Sequence, residues 1–439
     1  MKNLKTNILY LFTVLAFASC SKYTDGINES PNSFTSAPEN LLIGQANLEV
    51  VKLSSSQASR ASGVWTDQFT GADRQYINLD NYTVTAGDFD DDWDDLYANG
   101  LAEAKEAELL ANASGSVVLE GVSQIVQGLL LGEGAALWGD IPDTQALDYV
   151  TYPNPTYDSQ STVLEHVQTL LSSGITNVGS ATIASAYGAP VFKANSATWA
   201  EVAHSLKARY YLVAKNYPMA LAEAQLGISS AAGDLLSSHK NETGAKSMYY
   251  QFVVDERAGY LEASGPSTLL KLLDGSQARL LLTPGDSGRL AKYFTGNELN
   301  TSATGYFAVD ASFPIVSYVE TKLIEAEAEQ RVNGGTAGLA AFTAVRNYLA
   351  TEYGGVFPPS TSTGTALTNE ILEEKYISLV GSLQVFHDMR RTNNVLGIPV
   401  KNSTATTVPQ RFLYPQIEVG SNSNFPGVVG LFVKTPVNN

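Results

Sequence analysis

The segment 199–213 reads WAEVAHSLKARYYLV and carries the clearest helical pattern in the chain. Its apolar side chains recur at steps of four and three residues, which places them on one face of an α-helix; they are Trp199, Ala203, Leu206, Tyr210 and Val213. The same spacing occurs at Leu372, Tyr376, Leu379, Leu383 and Phe386, and again at Ile315, Val319, Leu323 and Ala326. We therefore expect a mostly α protein.

Outward from these segments, the same periodicity predicts further helices at about 39–60, 88–112, 118–137, 160–173, 218–230 and 337–351. Thr368 and Asn369 offer an N-cap for the helix that contains Leu372. Helices of this length, packed in series, indicate a scaffold of helical pairs. No clean repeat of about 34 residues is present, so the tetratricopeptide-like character is degenerate.

Long segments rich in Gly, Ser, Thr and aromatic residues separate the helices. They are 65–87, 139–159, 177–195, 233–265, 283–314 and 353–367. Structureless loops longer than about 15 residues are uncommon in compact domains unless they are functional. We therefore expect long irregular loops that bind a ligand.

Composition excludes several classes of function. The net charge is −17 and the isoelectric point is near 4.7, whereas a nucleic-acid phosphate backbone requires a basic surface. We expect no nucleic-acid partner, and the same acidity disfavours adhesion to anionic lipid. The chain has one cysteine, so a large core rather than a disulfide framework must stabilise it.

The amino terminus predicts export. Lys2 and Lys5 precede a short apolar run, Ile8 to Ala18, and Ser19 follows it. This pattern is typical of a secretory signal at 1–19, and the run is too short for a membrane-spanning helix. Cys20 follows at once, and the polar segment 20–37 shows no apolar period and is predicted to be a flexible tether. No composition break divides the remainder, so we expect a single domain at 38–439.

Several landmarks in order along the chain resemble the SusD and RagB lipoproteins of Bacteroidota. They are Trp138-Gly139-Asp140-Ile141-Pro142; Trp199 with Ser205 to Arg209; Phe313 to Glu320 with Ala326-Glu327-Ala328; Glu374-Lys375-Tyr376; His387 to Thr392; and Arg411 to Glu418 with Asn422 and Asn424. Phe17 to Cys20 resembles a bacterial lipobox. One departure is Gly285 to Arg289 before Tyr293-Phe294, where relatives often carry Asp-Pro-Arg, so the loop there is expected to differ.

The resemblance implies a SusD-like nutrient-binding lipoprotein rather than an enzyme. Such proteins are mostly helical, with four helix pairs as a scaffold, and bind oligosaccharides or, in some cases, peptides. It implies lipidation of Cys20, an outer-membrane anchor facing the cell exterior, and delivery of ligand to a SusC-like TonB-dependent transporter. We expect an oligosaccharide, with a peptide as the alternative, and no cofactor.

Two other functions stay open: a secreted glycan-cleaving enzyme and a structural cell-surface interaction protein. A glycosidase needs two carboxylates about 5 to 9.5 Å apart. The chain has 44 acidic residues, so its sequence is compatible with such a pair. The sequence contains no HExxH, no Gly-x-Ser-x-Gly elbow and no phosphate loop. We predict no catalytic residues and no metal ligands. The acidic run 88–95 lacks the glycine and glutamate of a calcium loop and is predicted to be a solvated helix start.

Conspicuous residues also have structural explanations. Trp93, Tyr97 and Trp199 share helical faces with small or apolar residues and are expected to be core anchors. Asp388, Arg390 and Arg391 are expected to form structural ion pairs rather than to touch ligand.

We place the ligand site in loops that carry tyrosines beside polar groups. The strongest candidate is 65–82, which contains Asp73, Arg74, Tyr76 and Tyr82 in a stretch too polar and Gly-rich for a packed helix. Tyr260 and Tyr306 lie in two further loops that we expect to converge on it. A tyrosine ring offers apolar area with few rotatable bonds, while Arg and Asp fix hydroxyl or amide groups. The alternative is that these tyrosines only attach their loops to the scaffold.

Overall fold

The computed structural model describes residues 37–265 and 267–439. The predicted signal at 1–19, Cys20 and the tether up to residue 36 lie outside the described residues. Over the described part of the chain the protein is mostly helical, with short strands paired two by two. No helix in that part combines the length and the apolar character needed to cross a membrane.

The α-helices are α1 (Glu39–Ser55), α2 (Gln57–Trp65), α3 (Gln75–Asp80), α4 (Asp90–Asp94), α5 (Ala102–Ser114), α6 (Val117–Trp138), α7 (Gln160–Val178), α8 (Trp199–Val213), α9 (Tyr217–Ala224), α10 (Met248–Tyr250), α11 (Thr268–Asp274), α12 (Asp286–Tyr293), α13 (Tyr318–Asn333), α14 (Leu339–Tyr353), α15 (Gly364–Ser378), α16 (Leu383–Arg391) and α17 (Gln416–Ser421). A π-helical segment, Asp95–Leu101, joins α4 to α5 without a break, and a second, Gln251–Glu256, follows α10. Short 3-10 turns lie at Ala86–Phe89, Ala231–Gly233 and Pro436–Asn438.

The strands are β1 (Thr70–Gly71), β2 (Leu235–Leu236), β3 (Leu261–Glu262), β4 (Phe294–Thr295), β5 (Glu298–Leu299) and β6 (Pro314–Val316). All pairs are antiparallel: β1 with β3, β2 with β6, and β4 with β5. These ladders are two or three residues long, so they attach loops to one another rather than form a sheet layer.

The helices pack in series. Helix α5 packs on α6, α6 on α7, α7 on α8 and α8 on α9; α9 then packs on α13, which also packs on α14 and α15. This succession of helical pairs confirms the predicted mostly α, tetratricopeptide-like scaffold. One cluster of buried apolar side chains runs from Leu42 to Leu431. That continuity supports the single domain at 38–439, which stays a prediction.

Helix α6 lies at the centre because its small residues allow close contact on two sides. A Cβ atom at Gly128 would lie 2.9 Å from the Leu171 side chain of α7, and one at Gly132 would lie 2.3 Å from the Tyr210 ring of α8. Real Cβ atoms essentially never come so close. Glycine at these positions therefore permits α7 and α8 to approach the α6 backbone.

A buried carboxylate joins this scaffold to the carboxy-terminal helices. Glu133 of α6 accepts hydrogen bonds from Arg209 (3.0 Å), Tyr210 (3.1 Å), Gln384 (2.9 Å) and His387 (2.8 Å). Burial alone would raise the pKa of Glu133, but the hydrogen bond from His387 and the charge of Arg209 lower it to about 2. Burial lowers the pKa of His387. Glu133 thus fixes α6, α8 and α16 together as an ion.

The Gly285–Arg289 segment, where the sequence departs from the family pattern, begins α12 and enters a second buried charge cluster. Asp286 pairs with Arg279 and with Arg289, and Arg289 also pairs with Glu374 of α15. Arg346 contacts the same Glu374 at 2.6 Å. Burial opposes ionisation of Glu374, but the neighbouring arginines hold its pKa below the usual value.

Several boundaries differ from the predictions because tertiary contacts override periodicity. The face from Leu372 to Phe386 belongs to two helices, α15 and α16. The chain breaks between them where the Gly381 N–H donates to Gln68 Oε1 (2.8 Å) and the Tyr249 hydroxyl donates to the Gly381 carbonyl (3.0 Å). Ile315 lies in β6 rather than in a helix.

The predictions of one helix cap and one loop were also wrong. Thr368 and Asn369 lie inside α15, and Thr363 occupies its N-cap position instead. Residues 75–80, predicted to be too polar for a packed helix, form α3, because Tyr76 is buried and anchors that turn.

The core anchors are confirmed, with one exception in the acidic run. Trp93, Tyr97 and Trp199 are buried. The run 88–95 is not wholly solvated, however, because Asp92 is only 3% exposed. The turn of α4 that places Trp93 in the core also withdraws its neighbour from water.

The residues near the end of α16 are structural. Arg391 pairs with Glu327 of α13 at 2.5 Å and with Asp388 at 2.7 Å. Arg390 makes no ion pair within the described residues. It donates instead to the carbonyls of Ala136 (2.8 Å) and Gln410 (3.2 Å) and stacks on the Phe386 ring, so the ion-pair expectation is corrected for this residue.

Candidate functional site

The loop 65–82 leaves α2 and folds into β1 and α3 beside the scaffold. Its backbone takes positive φ at Asp67 (53°), Arg74 (45°) and Tyr82 (59°). Non-glycine residues rarely adopt this region, and such strain persists only where surrounding contacts over-determine the chain. Contacts with the surrounding structure therefore fix the backbone conformation of this loop.

Lys401 supplies much of that constraint. Its ammonium group contacts Asp67 at 3.1 Å and Asp80 at 2.7 Å, and donates to the carbonyls of Val64 (3.0 Å) and Phe69 (3.1 Å). The Asp80 carboxylate also accepts the Gly71 N–H at 3.0 Å. The two ends of the loop are thus held together by a residue more than 300 positions away.

Two of the predicted loops do converge. β1 pairs with β3, and the Ala72 N–H donates to the Tyr260 carbonyl at 2.9 Å. The Tyr76 ring lies 4.8 Å from the Phe252 ring and 6.1 Å from the Tyr260 ring. Arg60 Nε donates to the Tyr76 hydroxyl at 2.7 Å. Tyr76 and Tyr260 are thus neighbours in an aromatic cluster that is largely withdrawn from solvent.

The other predicted residues divide into two groups. Asp73 and Arg74 lie at the exposed tip of the loop, 3.7 Å apart between Arg74 Nε and Asp73 Oδ2. Tyr82 is buried, with its hydroxyl accepting the Lys401 N–H at 3.1 Å and its ring against Phe432. Tyr306 packs on Tyr293, Phe307 and Phe313, in a different aromatic group from Tyr76. The structure therefore gives Tyr82 and Tyr306 the role of loop anchors.

A cavity lies directly beside Tyr76, between α2, α3 and the turn before α4. We call it the amide cavity; it is lined by Gln57, Ala61, Gln75, Tyr76, Asn78, Leu79, Val84, Asp88 and Phe89. Its volume is about 510 Å³ including the part open to solvent.

The lining combines an apolar floor with a polar wall. Ala61, Tyr76 and Phe89 are buried and form the floor. Gln75 and Asn78 are exposed on α3, and their side-chain amides make no hydrogen bond within the described residues. Each free amide offers both donors and an acceptor, which is the hydrogen-bonding capacity that hydroxyl or peptide groups require.

The opposite wall is already engaged. Gln57 Nε2 donates to the Asp88 carbonyl at 2.5 Å and approaches Asp92 Oδ2 at 3.4 Å. Burial raises the pKa of Asp92 to about 7, and the nearby Asp95 charge adds to the increase. Hydrogen bonds therefore fix the side chain of Gln57 in the cavity wall, whereas the side-chain amides of Gln75 and Asn78 make no hydrogen bond within the described residues. Within the described chain, no group of three or more His, Cys, Asp or Glu side chains could hold a metal ion.

The described part of the chain is thus a scaffold of helical pairs, with a cavity beside the loop 65–82 and that loop held by Lys401 from the carboxy-terminal region. The sequence profile of the SusD-like family, described as starch-binding and associating with the outer membrane, matches residues 31–250, half of the 439-residue chain. The chain belongs to this SusD-like family. No curated protein matches the chain.

Solved structures share the fold over nearly the whole chain. A SusD/RagB family protein from Bacteroides thetaiotaomicron is 17% identical, covering 89% of this chain and 95% of its own, with a TM-score of 0.64. A SusD homologue from Bacteroides fragilis is 17% identical, covering 92% and 99%, with a TM-score of 0.67. A chitin-binding protein is 18% identical, covering 88% and 95%, with a TM-score of 0.63. At these identities the likeness shows the fold alone.

Apart from Tyr76, sequence reasoning missed the residues that shape and line the cavity. Gln75 and Asn78 lie at i and i+3, a spacing that would have placed both amides on one face had α3 been predicted. Arg60 and Lys401 carried no such signal, because their partners are distant in sequence or lie in a loop of irregular shape.

Proposed function

We propose that this protein captures an oligosaccharide at the cell surface in the amide cavity and delivers it to a SusC-like TonB-dependent transporter without cleaving it. The observation that carries the proposal is the pairing of an apolar floor at Tyr76 and Phe89 with the unengaged amides of Gln75 and Asn78. A sugar ring has an apolar C–H face and a hydroxyl edge. The apolar floor of the cavity complements the C–H face, and the two amides complement the hydroxyl edge.

The remaining predicted residues take defined roles in this proposal. Tyr76 forms the floor, and Tyr260 supports it from behind. Asp73 and Arg74 immediately precede Gln75 at the exposed loop tip, where they contact the part of a longer ligand that extends outside the cavity. Tyr82 and Tyr306 hold their loops in place rather than touch the ligand.

Binding of glycans to variants of the cavity wall tests the site. Because the family description names starch and one structural relative is a chitin-binding protein, maltooligosaccharides and chitooligosaccharides are the first probes. The double variant Gln75→Ala/Asn78→Ala should weaken binding by about 1 kcal/mol or more, which is about fivefold in Kd by calorimetry. Both side chains are exposed, so the melting temperature should stay nearly constant.

Asn81→Ala is the matched control, since Asn81 is exposed at the end of the same helix and does not line the cavity. It should bind glycan as the parent protein does. Equal affinity of the double variant and the parent would place the site elsewhere. Shortened glycan products after incubation would favour the glycan-cleaving alternative. Binding of peptides but of neither glycan series would show that the ligand is a peptide rather than an oligosaccharide.

The anchor is tested at Cys20, which the proposal takes to be lipidated. Several acyl chains are needed for stable attachment, since each buried methylene contributes only about 0.8 kcal/mol. Cys20→Ala should move the protein from membrane to soluble fractions. Fractionation in a strain that lacks the transporter separates lipid anchoring from retention by the partner. Membrane retention of the variant in that strain would contradict the anchor.

The transporter partner is tested by mild detergent extraction and affinity purification. A flexible chain of 17 residues, the length of the predicted tether at 21–37, has an end-to-end distance of about 20–25 Å, enough to dock and hinge over a barrel. We expect a TonB-dependent barrel to co-purify with the tagged protein. Repeated isolation of the protein alone, under conditions that preserve known complexes of such barrels, would count against delivery.

A further inference from the structure

A second cavity lies between α1 and two loops and shares no lining residue with the amide cavity. Leu48 and Val51 of α1 form one wall, Pro190 and Val191 form another, and the loop 238–248 closes the third side. Its volume is about 770 Å³ including the part open to solvent.

Several polar groups of this cavity are unengaged within the described residues. The side chains of Ser238 and Lys240 make no hydrogen bond within the described residues, and both line the cavity. His239 also lines it, and its Nε2 atom is buried with no hydrogen-bond partner within the same part of the chain. A buried polar atom left unpaired costs about 1–3 kcal/mol, so a ligand group that donates a hydrogen bond to Nε2 would be favoured.

The charges around the cavity indicate a neutral ligand. Lys246 is already paired with Asp255 at 2.7 Å. That leaves Lys240 and Glu242, two exposed residues of opposite sign on the same loop, neither of them in an ion pair within the described chain. An anion or a cation would be attracted by one and repelled by the other, whereas a hydroxyl group can hydrogen-bond to both.

The loop is also held in shape before any ligand arrives. The Lys240 N–H donates to the Ala245 carbonyl (2.8 Å), the Ala245 N–H donates to the Glu242 carbonyl (3.0 Å), and the Ser238 N–H donates to the Val191 carbonyl (2.9 Å). A pre-formed wall lowers the ordering cost of binding.

We propose that this cavity is an accessory site for a single neutral sugar ring, which packs its C–H face on Leu48, Val51 and Val191 and hydrogen-bonds to His239 and Ser238. The ring satisfies the unpaired imidazole nitrogen and covers the apolar wall at the same time. Neither a purely apolar ligand nor a small ion does both. This site is independent of capture in the amide cavity.

The chain has four histidines, so ring nitrogen signals of ¹⁵N-histidine-labelled protein report on the site directly. The signal of His239 is assigned by its loss in His239→Gln. Titration with millimolar glucose, mannose or N-acetylglucosamine should move the His239 signal saturably and leave those of His166, His204 and His387 in place. Leu48→Trp, which fills the cavity from a partly exposed helix position, should abolish the shift without lowering the melting temperature.

The variant Gln75→Ala/Asn78→Ala separates this proposal from the proposed function, because it alters only the amide cavity and should keep the His239 response. Loss of the response in that variant would show that the signal reports the amide cavity and would overturn the accessory site. So would a shift that persists in Leu48→Trp, the absence of any shift with all three sugars, or a response to galacturonate alone.

Discussion

The hydroxyl of Tyr76 shows how the environment of one residue decides its role. The sequence places a tyrosine in a polar loop, which suits either a ligand platform or a loop anchor. The structure combines the two, because the ring lines the amide cavity while its hydroxyl accepts the hydrogen bond from buried Arg60. Tyr76→Ala would therefore lower stability as well as affinity, which is why Gln75 and Asn78 give the cleaner test of binding.

A single residue, Asp92, should also make the stability of the folded protein depend on pH. Burial raises its pKa from 3.8 to about 7. Because the folded-state pKa lies above the unfolded one, the protonated carboxyl favours folding at low pH, and this contribution is lost as the pH rises through about 7. Asp92→Asn should therefore be more stable than the parent at pH 8, by about 1–3 kcal/mol, and similar to it near pH 4.

Chemical denaturation across this pH range measures the effect. Asp91→Asn is the control, because Asp91 is the exposed neighbour in the same helical turn and should change stability little at any pH. A gap between the Asp92 variant and the parent that does not grow with pH would show that Asp92 is ionised throughout.

At the scale of elements, periodicity predicted most helices but not their ends. The segments 118–137 and 199–213 match α6 and α8 closely, since their apolar faces alone determine them. The break between α15 and α16 and the π-helical turn before α5 could not be predicted. The break depends on hydrogen bonds between Gly381 and two residues far away in sequence, Gln68 and Tyr249.

Gly132 gives the element-scale prediction. A Cβ atom there would lie 2.3 Å from the Tyr210 ring, so Gly132→Ala must push α8 away from α6 and should destabilise the protein by about 1–3 kcal/mol, measured by urea denaturation. Gly44→Ala in α1 is the matched control, since a Cβ there meets no atom within 4 Å. It should stabilise the helix by about 0.5–1 kcal/mol. Equal effects of the two substitutions would mean that the α6–α8 contact is looser than described.

At the scale of the whole molecule, the sequence predicted a helical-pair scaffold with functional loops, and the scaffold is confirmed. The convergence of the loops at Tyr76 and Tyr260 follows from the pairing of β1 with β3. Each of these strands has two residues, too few to show a strand pattern in the sequence. The Lys401 contacts were equally hidden, because nothing near residue 401 marks it as a partner of Asp67 and Asp80.

Lys401→Met tests how the carboxy-terminal region supports the ligand loop. The methionine keeps the apolar stem but leaves Asp67 and Asp80 without their cation, which should cost about 2–4 kcal/mol. Amides of residues 66–80 should exchange with deuterium faster, and glycan affinity should fall although Lys401 does not line the amide cavity. Lys434→Met, at a partly exposed lysine with one hydrogen bond to Asn393, should leave both measurements unchanged. Unaltered exchange in the Lys401 variant would mean that the loop holds its shape without it.

The position of Lys401 also has a consequence for biosynthesis. Chains are made from the amino end, and helices near that end can pack as soon as their neighbours appear. The loop 65–82 cannot reach its final shape at that stage, since the cation that holds it is still about 320 residues from emerging. A product that stops before residue 401 can therefore assemble the early helical pairs and still lack a finished binding face.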